Sequence, residues 1–135
     1  MFSRGSLRAY VLLAGVLSFV APARAIDLNG FWASDPALCD KIFIKKGKKV
    51  VFSELSDLYG SGFIIDGNNI RGKVARCTIK SRKENDDALI LSATCSTIIA
   101  PQDLEFSLKT VDDNTVARLI PGSSAMRVNF HRCRP

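Results

Sequence analysis

The chain has 135 residues, with 19 Lys and Arg against 13 Asp and Glu, one His and four Cys, for a formal net charge of +6. That length suits one ordinary small domain and is too short for a multidomain enzyme. Half of the net charge sits in the first 25 residues, and the rest is too sparse to form the dense basic surface that nucleic-acid binding requires.

Those first residues, MFSRGSLRAYVLLAGVLSFVAPARA, hold Arg4 and Arg8 with no acid, an apolar run from Ala9 to Val20, then Ala23-Arg24-Ala25. A charged start, a short hydrophobic middle and a small-x-small end predict a helical secretory signal peptide over residues 1–25, cleaved after Ala25. The run is shorter than the ~20 residues of a membrane span, so no span is expected once the signal is removed. Ile26 rather than Cys follows, which gives a lipoprotein anchor no attachment point, and the early arginines are not adjacent as a twin-arginine signal requires. The expected product is one soluble periplasmic or secreted domain, residues 26–135. Loss of Arg4, Arg8 and Arg24 leaves 16 basic residues against 13 acidic ones, a net charge of +3.

From Ile26 the chain reads as strands and turns. SDPAL, residues 34–38, supplies a cap and a first-turn proline for one helical turn around Asp35 to Cys39. KIFIKKGKKVVF, residues 41–52, predicts two short strands joined at Lys46-Gly47-Lys48, and residues 52–62 form the one longer loop. SGFIIDGNNIRGKVARCTIK, residues 61–80, predicts a hairpin turning at Asp66-Gly67-Asn68-Asn69, where Gly and Asn accept positive φ. The polar run Arg82 to Asp87 reads as the next turn. ALILSATCSTIIA and DLEFSLKTV follow as strands, DDNT (112–115) as a turn, VARLI as a strand, PGSS (121–124) as a turn and MRVNFHRC as the last strand. About eight strands at short intervals predict an all-β fold. An antiparallel up-and-down meander closing into a small barrel, first strand beside last, fits the short connections, and a β-sandwich is the alternative.

Four exported cysteines read first as disulfides. Ala75, Cys77 and Ile79 share one strand parity, and Leu89, Leu91, Ala93 and Cys95 share another. Cys77 and Cys95 are therefore expected to face each other across a hairpin, on its apolar side. Cys39 and Cys133 then pair by elimination, across the barrel seam, and a link over so long a loop could add on the order of 4 kcal/mol. There is no Cys-x-x-Cys pair, and His131 is the only His, so no metal site is expected.

LNGFWASDPALC, residues 28–39, resembles the Gly-x-Trp lead-in to the first strand of lipocalin-like barrels. These include the small periplasmic metalloprotease inhibitors of the Inh type, where a Cys also follows the Trp closely, and the layout is similar to small secreted proteins of alphaproteobacteria. Trp is mostly buried, so Trp32 is expected to plug one end of the barrel, and for the Inh type the resemblance implies protease inhibition through an N-terminal trunk. Only Ile26, Asp27, Leu28 and Asn29 precede Gly30 here.

No catalytic set is expected. A triad needs a His with an acid and a nucleophile, and His131 alternates outward from Val128 and Phe130 on the last strand. The acid pairs Asp86-Asp87 and Asp112-Asp113 fall in turns, YGSG at 59–62 has no helix after it to build a phosphate cradle, and no cofactor is implied. The expected function is binding. Ile44, Val51, Phe63, Ile65, Leu91, Phe106, Leu108, Val128 and Phe130 are bulky inward candidates that would fill an eight-stranded barrel, which favours a binder working through surface loops. Its candidate site is the hairpin tip Lys45, Lys46, Lys48 and Lys49 with outward Arg76, Lys80 and Arg82, facing an anionic envelope component or a protein partner. A calyx-type carrier of a small apolar ligand is the alternative reading, and an Inh-like protease inhibitor a further one.

Overall fold

The structure, a computed structural model, describes residues 15–19, 26–85, 88–122 and 126–135. Most of the expected signal peptide, the pair Asp86-Asp87 and part of the turn at 121–124 lie outside the described residues.

Ten strands form among the described residues. They are β1 (Gly30–Ala33), β2 (Phe43–Lys46), β3 (Lys49–Phe52), β4 (Gly62–Asp66), β5 (Asn69–Arg71), β6 (Arg76–Asn85), β7 (Ala88–Ser96), β8 (Pro101–Asp112), β9 (Thr115–Leu119) and β10 (Arg127–Cys133). Eight of them close into an antiparallel barrel in the order β1-β10-β9-β8-β7-β6-β5-β4, while β2 and β3 form a separate hairpin. The expected all-β barrel is present, and its first strand lies beside its last.

Membership of the barrel differs from the sequence expectation. After β1 the chain enters a 3₁₀ turn, Pro36–Leu38, whose first turn is capped by the Asp35 carboxylate accepting from the Ala37 N–H. It continues into α1 (Cys39–Ile42). Ile42 and Phe43 then bury against the outer face of the barrel, in a cluster with Ala33, Ile64 and Cys133. That anchor holds the β2–β3 hairpin outside the barrel, so Ile44 is 39% exposed and Val51 only half-buried. Neither fills the interior. The second arm of the hairpin predicted over 61–80 is also broken, into β5 and β6, by a turn at residues 72–75.

The close fit of this insert fixes the residue at position 62. A Cβ built on Gly62 would lie 2.9 Å from the Trp32 carbonyl oxygen, 3.0 Å from Phe43 Cζ and 3.1 Å from Ile42 Cγ2. Glycine is required there because backbone and side chains crowd it from both sides.

Register settles which side chains point inward. Cys77 stands opposite Cys95, Leu91 opposite Phe106, Leu108 opposite Arg118, and Phe130 opposite Val116. Cys77 and Cys95 form a disulfide across 3.9 Å between Cα atoms, on the buried side of the hairpin as their parity predicts. One detail departs from simple alternation. A bulge between Ile79 and Ser81 shifts the parity of β6, which runs on to Asn85, opposite Ala88. The turn expected over Arg82 to Asp87 is thus confined to positions 86 and 87, and Arg82 falls opposite Leu91 instead of outward.

Cys39 and Cys133 are joined, with Cα atoms 5.6 Å apart. The bond does not span the barrel seam, because β1 and β10 close that by backbone pairing; it staples α1 of the insert to the end of β10 instead. The sequence separations of 94 and 18 residues correspond to loop-entropy contributions of roughly 5 and roughly 3 kcal/mol. Non-reducing mass mapping should therefore find these two links and no free thiol. Replacing Cys39 and Cys133 together by Ser should lower the unfolding free energy more than replacing Cys77 and Cys95. Equal losses, or scrambled pairs in folded protein, would contradict the assigned roles.

Candidate functional site

The two ends of the barrel are built differently. At one end Trp32 is fully buried, and its Nε1–H donates to the Leu28 carbonyl at 2.9 Å. Opposite it in register is Arg132, whose guanidinium lies 4.4 Å from the Trp32 ring centroid. Arg132 also donates to the carbonyls of Asn29 and Asp27 at 2.7 Å and of Asp113 at 3.5 Å. Phe63 stacks on Trp32 and meets Phe130 edge-on at 4.9 Å. Trp32 plugs this end, as the sequence suggested. The segment before β1, which an Inh-type trunk would occupy, is folded into the plug: Leu28 is buried and Ile26 packs beside it.

The other end is where β4 and β6 start and β7 and β9 finish, and it is open. A cavity of about 320 Å³ lies inside the barrel there, with Phe63, Ile65, Leu91, Phe106, Leu108 and Phe130 along its walls. Gly72 and Ala75 from the β5–β6 turn, Thr97 from the β7–β8 loop, and Gln102 and Leu104 of β8 complete its mouth. The interior is therefore not filled. Two of the bulky residues expected inside, Ile44 and Val51, belong to the external hairpin. Val128 keeps the inward parity but is 39% exposed. On the β5–β7 side of the mouth the lining positions are small: Gly72, Ala75 and the Cys77–Cys95 pair.

The wall has a step. Pairing between β8 and β9 starts only at Ser107 opposite Leu119, so residues 101–106 have β7 on one side and no strand on the other. Arg118, one residue before the end of β9, stands at that step and lines the cavity, its guanidinium 5.0 Å from the Phe106 ring centroid. Exposed apolar residues surround the mouth in the adjoining loops, with Ile98 97% and Ile99 90% exposed and Val74 also in solvent. Lys73 ties the β5–β6 turn to the insert by donating to the Glu54 carbonyl and pairing with Asp57. That hydrogen bond holds the Asp57 carboxyl below its ordinary pKa of 3.8. The link is present at neutral pH and is lost only as pH falls through the lowered value.

The basic residues singled out in the sequence lie on different elements. Lys45, Lys46, Lys48 and Lys49 are exposed on the β2–β3 tip, where Gly47 turns at φ +64°. Arg76 and Lys80 share a shallow surface groove with Arg71 and Asp66, and Arg76 also borders a groove with Val51 and Phe52 of β3. Arg82, displaced by the bulge, donates to the Gly67 carbonyl at 2.7 Å and is engaged there. Asp112 accepts from the Asn114 N–H at 2.8 Å, the turn geometry expected of it. His131 is half-buried, with Nδ1 3.4 Å from Thr115 Oγ1. Among the described residues no group of three or more His, Cys, Asp or Glu could hold a metal ion. Arg118 escaped the sequence reading, although a signal existed: in VARLI it shares the parity of the buried Val116.

Comparison of the chain with protein-family models, with curated proteins and with solved structures finds no match.

Because Arg132 serves the closed end alone, Arg132→Ala should cost about 2–4 kcal/mol in denaturant unfolding, the range for losing several carbonyl hydrogen bonds to a charged donor. The cavity lies at the opposite end, so binding of any probe to the variant that remains folded should be unchanged. A loss below ~0.5 kcal/mol would mean that the stack and its carbonyl contacts do not close the barrel.

Proposed function

We propose that this chain is a binding protein of calyx type, holding a small apolar ligand inside the barrel. The observation that supports this reading is the cavity itself, about 320 Å³ and walled mainly by apolar side chains, which falls at the lower end of the ~300–1,000 Å³ typical of small-molecule sites. Burial of an apolar ligand there gains roughly 25 cal/mol per Å² removed from water. The exposed Ile98, Ile99 and Val74 give such a ligand an apolar approach to the mouth. The reading replaces the filled-interior surface binder as the first choice, and a lipocalin-like relationship fits it.

The test is fluorescence of the neutral dye Nile red with folded protein, followed by displacement with decanol. Strong emission that decanol reverses is expected. Leu104→Trp and Ala75→Phe, which add bulk at the mouth, should each weaken dye binding about tenfold or more, the scale of one lost apolar contact region, with the unfolding midpoint little changed. Dye emission that is absent, or indifferent to both substitutions, would count against the calyx.

A second reading is favoured by one specific observation. Lys45, Lys46, Lys48 and Lys49 are all exposed, and none makes an ion pair among the described residues. We infer that this tip contacts an anionic envelope component or an acidic protein surface, with an attraction screened over about 8 Å at physiological salt. A variant with Glu at all four positions should elute from a polyanion resin at clearly lower salt than the parent. Co-elution of the two folded proteins would reduce the tip to a solvated turn.

A further inference from the structure

We propose that the ligand of the cavity is an amphiphile with an anionic head, and that Arg118 holds that head; this rests on the calyx reading and adds the ligand's charge class. Among the described residues that line the cavity, Arg118 is the only charged one, and none is a carboxylate. Its neighbours in register are Leu108 on β8 and Val128 on β10, both apolar. The guanidinium lies over Phe106, and among the described residues it has no ion pair. A ring face offsets part of the charge but accepts none of the five N–H donors in the usual way.

Arg132 shows how this same fold treats an arginine that serves structure. It too lies over an aromatic ring, yet it is also committed to three backbone carbonyls. Arg118 has the ring without such acceptors among the described residues. A half-buried guanidinium with free donors matches the two oxygens of a carboxylate or phosphate monoester, which Arg binds in parallel where Lys gives only a point charge.

Position fits the same ligand. Arg118 stands at the step where residues 101–106 lack a β9 partner, so the head would sit at the opening, within reach of water. The tail would then run inward along Phe106, Leu91 and Phe130. A ligand in this orientation buries its apolar part and leaves its charge beside Arg118, the one cation among the described residues that line the cavity.

The experiment is displacement of Nile red by decanoate, decyl phosphate and decanol from the parent protein, Arg118→Gln and Arg118→Lys, with thermal unfolding of each variant recorded alongside. At least one anionic probe should bind the parent more tightly than decanol, and the order of the two anions identifies the head. Arg118→Gln should weaken the anionic probes about tenfold or more, as loss of a charged hydrogen-bonding partner does, and leave decanol within about twofold. Arg118→Lys should restore part of the anion affinity, with a steeper dependence on salt. Equal affinity of all three probes for the parent, or anion binding untouched in folded Arg118→Gln, would overturn the assignment to Arg118 while leaving the calyx standing. Failure of every probe to compete with dye, or of dye to bind at all, would remove the calyx and this inference with it.

Discussion

The barrel depends on a strand of four residues. β1 pairs with β4 on one side and β10 on the other, so every hydrogen bond that closes the sheet at the seam passes through Gly30–Ala33. A strand this short contributes few backbone hydrogen bonds to either neighbour. The additional constraint is the cross-strand pair Trp32 and Arg132, directly opposed in register, with the cation over the ring. Arg132 also gathers the carbonyls of Asp27, Asn29 and Asp113, which fixes the segment before β1 and the β8–β9 turn to the same point. Backbone groups that would otherwise lie exposed at the barrel end are thereby satisfied. The indole supplies the apolar mass beneath them, and its N–H is satisfied by Leu28.

Packing density is consequently uneven along the barrel axis. Trp32, Phe63 and Phe130 form a continuous aromatic floor, and toward the mouth the β5–β7 side of the lining becomes small, at Gly72, Ala75, Cys77 and Cys95. The insert of residues 34–61 does not compensate, because its apolar side chains are spent on the outer face of β1 and β4, in a cluster separate from the interior. Two cores therefore share one pair of strands, one inside the barrel and one outside it. The inner core is complete only near Trp32, and the unfilled remainder is the cavity on which the proposed function rests.

Much of this architecture was legible in the sequence, for identifiable reasons. Two-residue alternation around Cys77 and Cys95 placed both thiols on one face, and the match of Gly67 and Asn68 to a tight turn fixed the β4–β5 hairpin. What alternation could not reveal was the fate of KIFIKKGKKVVF. Its apolar residues suit a strand inside or outside a barrel equally well, and the choice was made by a tertiary contact, Ile42 and Phe43 against Gly62. The parity change at Lys80 was hidden for a related reason. A bulge inserts one residue without altering composition, so Arg82 was counted on the wrong face. The cavity was the hardest feature to read, since it depends on which bulky residues are missing from the interior. Arg118 was nonetheless visible in principle, as a charge on the buried parity of VARLI.

The disulfides are arranged to suit this unevenness. Cys39–Cys133 secures the insert, where packing is already close, whereas Cys77–Cys95 lines the cavity itself. Side chains around a void lack contact partners on one side and forgo the dispersion energy those contacts would supply. A covalent bond between β6 and β7 holds the wall at the place where that support is absent, and it keeps the spacing of the two strands independent of whether the interior is occupied. Such a site is organised during folding, so an incoming ligand would lose less free energy to ordering the protein around it. At the rim the 72–75 turn is tethered by Lys73 to Asp57 and the Glu54 carbonyl. The covalent tie thus stands in the wall of the cavity, whereas the ties that hold the 72–75 turn at its mouth are polar.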